Sequence, residues 1–103
     1  MEKGVEVKRE GSVLTIALGE QLATANAPAL MDELMPYKDQ KLEKIVFEAK
    51  NLTHLSSSGI RVIIYCKQKL SDNPEIVFVD CNDDILDVLD IVGIRPFITF
   101  QNH

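Results

Sequence analysis

Apolar positions along this chain fall into short blocks with two different rhythms. Val5 and Val7 alternate with charged neighbours. Val13–Leu18 (VLTIAL) sets Leu14, Ile16 and Leu18 on one side, the period-two pattern of a strand. Glu10-Gly11-Ser12 between them reads as a hairpin turn, and Gly19 closes the second strand. Thr24 or Asn26 is placed to cap a helix, and Pro28 fits its first turn. Leu30, Met31, Leu34 and Met35 recur at helical spacing until Pro36 ends the pattern.

The charged stretch Lys38–Lys44 reads as a surface connection, and Ile45–Phe47 is a continuous apolar run suited to a central strand. Ile60, Ile63, Ile64 and Lys67 then lie at i, i+3, i+4 and i+7. This predicts a helix with an isoleucine stripe toward the sheet, broken by Ser71-Asp72-Asn73-Pro74. Ile76–Val79 is another buried strand. Asn82 or Asp83 caps a third helix, Asp83 and Asp84 supply negative charge to its first turn, and Ile85, Leu86, Leu89 and Val92 form its inner face. Gly93 and Pro96 are its stop signals, and Phe97–Phe100 is the last strand. The order β-β-α-β-α-β-α-β predicts an α/β fold: a mixed sheet of four to five strands with helices packed on it. The opening hairpin is antiparallel, and right-handed parallel crossovers run from the third strand onward.

A chain of 103 residues is expected to form one domain over 1–103. The start MEKGVEVKRE has no apolar signal region and no run is long enough to span a bilayer, so a cytoplasmic protein is expected. The net charge of −5, with no basic cluster longer than Lys67-Gln68-Lys69, argues against nucleic acid and for a protein partner or small ligand. Cys66 and Cys81 sit in apolar stretches and read as reduced, packed thiols. With His54 and His103 they are too scattered for a metal site, and no cofactor is expected.

One segment stands out chemically. Ser56-Ser57-Ser58-Gly59 directly precedes the second helical pattern. Serine at a helix start commonly serves as a cap. A phosphoacceptor is the sharper alternative, since open N–H groups and the positive dipole end welcome a phosphate there. A Ser–His hydrolase finds little support, because no G-x-S-x-G elbow surrounds the serines, and one glycine is no phosphate loop.

Over nearly its whole length the chain resembles a STAS domain, as found in bacterial anti-sigma factor antagonists (anti-anti-sigma factors). The resemblance rests on the Gly19–Leu22 turn leading into Thr24–Leu30, the stretch KIVFEAKNLTHL, the segment SSSGIRVII, and the closing helix DDILDVLDIVGI. It implies a STAS-type α/β sandwich and a non-enzymatic module. In such partner switching the unphosphorylated domain binds a kinase-like anti-sigma factor, so that a sigma factor is released. Phosphorylation of a serine ends the complex, and a serine phosphatase resets it. Matched position by position, Ser57 is the implied phosphoacceptor, and Ser56, Ser58, Gly59, Ile60, Arg61, Ala23, Thr24 and Asn26 are the implied partner-binding residues. Ser56 and Ala23 stand where family members often carry aspartate. A STAS module serving another complex as a ligand-binding or scaffold subunit, without the switch, is the alternative.

Overall fold

The alternating blocks at the start pair as predicted. In the computed structural model, which describes residues 5–102, β1 (Val5–Glu10) and β2 (Val13–Leu18) form an antiparallel hairpin with Val5 opposite Leu18. The expectation about MEKG and the histidine at 103 lie outside the described residues. Two two-residue strands, β3 (Gln21–Leu22) and β5 (His54–Leu55), form a separate small ladder. The main sheet is completed by β4 (Lys44–Glu48), β6 (Glu75–Val79) and β7 (Ile98–Gln101), in the order β1-β2-β4-β6-β7. Parallel pairing begins one strand earlier than expected, because β2 itself runs parallel to β4.

Three helices make the crossovers: α1 (Ala27–Leu34), α2 (Ser57–Tyr65) and α3 (Asp83–Ile91). Each crossover steps one strand in the same direction, so the right-handed rule puts all three helices on one face of the sheet. Burial agrees. Leu14, Ile16, Ile45, Phe47, Ile76 and Phe78 join the helix residues Leu30, Leu34, Val62, Ile63, Ile85 and Leu89 in one core. Phe47 and Phe78, side by side in register, set their rings 5.0 Å apart and tilted, a contact worth about 1 kcal/mol beyond the area it buries.

Three boundaries differ from the reading of the sequence. The buried line of the second helix is Gly59, Val62, Ile63, Cys66 and Leu70, so the stripe is turned from the predicted one. Ile60 and Ile64 flank it half-buried, and Lys67 runs its stem along the edge to donate to the Pro74 carbonyl at 3.0 Å. A π turn at Cys66–Leu70 widens the helix end and keeps both Cys66 and Leu70 inward. Pro36 does not stop the chain abruptly, because Met35–Tyr37 continue as a 3₁₀ turn with Met35 exposed. In the closing segment Val92 is exposed and Phe97 belongs to the 3₁₀ turn Arg95–Phe97, leaving β7 to start at Ile98.

The third helix is capped as expected. Asn82 Oδ1 accepts the Ile85 N–H at 2.9 Å, and its Nδ2 donates to the Leu52 carbonyl at 2.7 Å, tying α3 to the loop ahead of β5. Gly93, at φ 83°, takes the left-handed position after the helix. Asn82→Ala removes a cap and a cross-link together. Its expected cost is about 2 kcal/mol, the upper part of the range for caps, read as a fall in the thermal or urea midpoint.

Candidate functional site

Parallel strands linked by helices on one face begin every helix at one rim, the end where the strands finish. The β3–β5 ladder binds two loops of that rim together. It pairs Gln21 with His54 and Leu22 with Leu55. The N–H groups of Thr53 and His54 donate to the Glu20 carbonyl at 2.8 and 3.1 Å, and the Ser56 N–H donates to Leu22 at 3.1 Å.

The first loop is locked from within by Asn26. Its Oδ1 accepts the Ala23 N–H at 2.9 Å, and its Nδ2 donates to the Gln21 carbonyl at 2.8 Å. Asn26 therefore occupies the capping position of α1 without its side chain bonding the helix, and Thr24 is not the cap either. Thr24 reaches across instead, its hydroxyl 3.2 Å from that of Ser58.

At α2 the position before the first helical residue is Ser56, in extended backbone (φ −95°, ψ 174°), yet its side chain makes no cap bond. The Ser56 hydroxyl is buried with no partner among the described residues. The first helical bond runs from the Ile60 N–H to the Ser56 carbonyl at 2.9 Å. The N–H groups of Ser57, Ser58 and Gly59 precede it, outside the helical ladder, at the positive end of the dipole. Ser57 is exposed on that end, and Arg61, one turn further along the same face, is exposed too. Ile60 is half-buried beside them.

Gly59 explains how the two loops come so close. It is buried, and a Cβ added to it would collide with the Leu22 carbonyl oxygen and lie 2.8 Å from Leu55 Cδ1. Only hydrogen leaves room for α2 to rest on the β3–β5 ladder.

The structure thus gathers Ser57, Ser58, Thr24, Ile60, Arg61 and Asn26 around one helix mouth. Three other expected contact residues sit differently. Ala23 and Gly59 are buried and Ser56 turns its hydroxyl inward, so these shape the surface from beneath and offer no exposed side-chain group. Sequence reasoning did not find the β3–β5 ladder or the Asn26 lacing. Each rests on one or two residues, too few for periodicity to register. Asp83 and Asp84, exposed at the start of α3, add negative charge along the same rim.

The thiols stand apart from this chemistry. Burial pushes Cys66 up to about 12. Burial, and then the nearby Asp83 carboxylate, push Cys81 up to about 11. Both are raised, so both stay protonated at neutral pH and the reactive thiolate appears only in strong alkali. Native protein is expected to resist a thiol-reactive probe at pH 7 and to label at two sites once unfolded, a difference that intact mass resolves. Rapid labelling of folded protein would contradict this. Among the described residues no group of three or more His, Cys, Asp or Glu side chains could hold a metal. No helix among them is long and apolar enough to cross a membrane.

The STAS domain family model matches residues 4–103. The chain belongs to the STAS domain family. No curated protein sequence matches it significantly. Solved structures share the fold at low identity. An anti-sigma factor antagonist from Mycobacterium paratuberculosis is similar at TM-score 0.77 and 14% identity, over 94% of this chain and 83% of that one. A STAS domain anti-sigma-factor antagonist protein from Planctomyces limnophilus gives 0.76 and 13%, over 93% and 86%. The Bacillus cell fate determinant SpoIIAA in its phosphorylated form gives 0.69 and 13%, over 93% and 89%. This STAS domain therefore has the SpoIIAA-like architecture, a five-stranded mixed sheet under three helices.

Proposed function

We propose that this STAS domain is a cytoplasmic anti-sigma factor antagonist, a binding module without catalysis of its own. It docks a kinase-like anti-sigma factor, frees a sigma factor, and is switched by phosphorylation of Ser57, with a serine phosphatase reversing the change. The observation that carries this reading is the placement of Ser57. Its side chain is exposed on the first residue of α2, beside N–H groups outside the helical ladder, on a surface shared with Thr24, Ser58, Ile60 and Arg61. Support of a coarser kind comes from the neighbours, two described as anti-sigma factor antagonists and one solved phosphorylated.

The physical logic of the switch follows from that placement. A phosphate on Ser57 carries roughly two negative charges near neutral pH, and the helix end tolerates it, so the fold stays intact. The penalty falls on the partner, whose surface fits a neutral hydroxyl and must now desolvate a dianion. Such a mismatch costs about 4 kcal/mol, of the order of a thousandfold in affinity.

Incubation with the cognate kinase and ATP tests this. Intact mass should rise by one phosphoryl group in wild type and not in Ser57→Ala, with loss of the complex in step. A partner that binds at this rim while the mass never changes would favour a scaffold module without the switch.

A further inference from the structure

Helix α3 carries more negative charge than its own stability calls for. Ile85 and Leu89 turn inward, so Asp83, Asp87, Asp90 and Ile91 lie on the opposite, solvent face, with Asp84 at its margin. Asp83 and Asp84 suit the positive start of the helix. Asp87 and Asp90 have no such role. Asp87 stands one turn from both earlier aspartates, and Asp90 one turn from Asp87. Asp90 also falls in the last turn, where the dipole is negative and no basic side chain balances it. None of the four carboxylates forms an ion pair among the described residues. Arg95 is the single lysine or arginine from Ile76 to Gln101.

Apolar surface gathers at the end of the same helix. Of the four large hydrophobic side chains exposed among the described residues, Ile91, Val92 and Phe97 lie here, Ile91 at 84% and Phe97 at 62%. Ile91 follows Asp87 by one turn, so the most exposed apolar side chain sits within the acidic face. Past the helix, Ile94 and Phe97 wall an open groove of about 450 Å³ against Ile63 and Ile64 of α2. Lys67 and Asp72 at the rim of that groove are of opposite sign and leave it without net charge.

We infer that the outer face of α3 and the apolar turn after it dock a basic amphipathic helix of a partner protein. Charge selects this occupant. A second copy meeting this face about a two-fold axis would set aspartates against aspartates, and an anionic lipid surface or a nucleic acid would be repelled in the same way. A helix laid along α3 instead brings lysines or arginines, one turn apart, opposite Asp83, Asp87 and Asp90, which are spaced likewise. Its apolar stripe covers Ile91 and Phe97 and reaches the groove. Arg95, beyond the last aspartate, favours an acidic or uncharged residue at that end of the partner. The like charges that strain free α3 are neutralised when the cations arrive. This goes beyond the proposed switch and stands whether or not Ser57 is phosphorylated.

Titration of the isotope-labelled chain with a short leucine–lysine peptide, its leucines at helical spacing, is the test, with a leucine–glutamate peptide as control. The lysine peptide should bind below millimolar concentration and shift amide signals chiefly in residues 83–97, and the glutamate peptide should not bind. Asp87→Asn combined with Asp90→Asn should weaken binding about fivefold. Ile91→Ser should weaken it about tenfold. All three positions are exposed, so the fold is kept. Asp90→Asn alone should raise the melting midpoint by about 2 °C, because it removes a charge that opposes the dipole. Absent binding, shifts centred elsewhere, or an affinity indifferent to both variants would overturn the inference. So would a lowered midpoint, which would make Asp90 a residue of the fold. Shifts at 83–97 that grow with protein concentration alone would assign the face to a second copy, and retention on anionic vesicles would assign it to a lipid surface; either result overturns the inference too.

Discussion

Ser57→Asp is expected to weaken binding to the proposed anti-sigma partner about thirtyfold while leaving the thermal midpoint nearly unchanged. Aspartate carries about half the charge of a phosphate, so about half of the roughly 4 kcal/mol penalty applies, and 2 kcal/mol is close to thirtyfold. Stability does not pay for this, because a carboxylate at the first helical position meets the positive dipole end and open N–H groups, an arrangement favourable by about 0.5 kcal/mol. Ser57→Ala should bind as wild type does and stay bound after treatment with kinase and ATP. Titration calorimetry of both variants, beside a thermal melt, separates binding from folding. Undiminished affinity in Ser57→Asp would remove the electrostatic account of the switch.

Gly59→Ala should do the opposite, striking the fold first. The new methyl would sit inside the contact distance of the Leu22 carbonyl oxygen, with Leu55 Cδ1 at 2.8 Å and Leu22 Cγ at 2.9 Å closing off retreat. The carbonyl cannot move alone, because it holds the Ser56 N–H, and Leu22 is paired with Leu55. Relief requires α2 to lift from the β3–β5 ladder. The expected cost is about 3 kcal/mol, near the top of the range for overpacking, and in a domain of this size that lowers the melting midpoint by about 15 °C. Binding should fall as well, because the Thr24–Ser58 contact spans the same seam. A melt within two or three degrees of wild type would show that α2 is less tightly seated than its geometry indicates.

The difference between these two positions explains what the sequence disclosed and what it hid. Strands and helices were legible wherever four or more residues repeat a period, as in Val13–Leu18, or run continuously apolar, as in Ile76–Val79. The serine run was legible because three hydroxyls before an apolar pattern mark a helix start, and Ser57 does open α2. The rotation of the second helix was not, since Ile60, Val62, Ile63 and Ile64 are all apolar and only packing chooses which of them point inward. The buried hydroxyl of Ser56 was also out of reach, because sequence alone favours a capping bond that this backbone does not make. Asn26 misled for a similar reason: the side chain suited to capping α1 is spent on fastening its own loop.

Strand direction has a practical corollary for anyone handling this molecule. β1 runs opposite to β2, so Val5 lies beside Leu18, and Gln101 finishes β7 at the same end of the sheet. The first described strand therefore begins, and the last one ends, at the rim where α2 starts, and a bulky group attached along that rim would crowd the approach to the serine. Fluorophores and surface tethers belong at the opposite pole, on exposed positions such as Lys41 or Asn73, where they leave the approach to α2 clear.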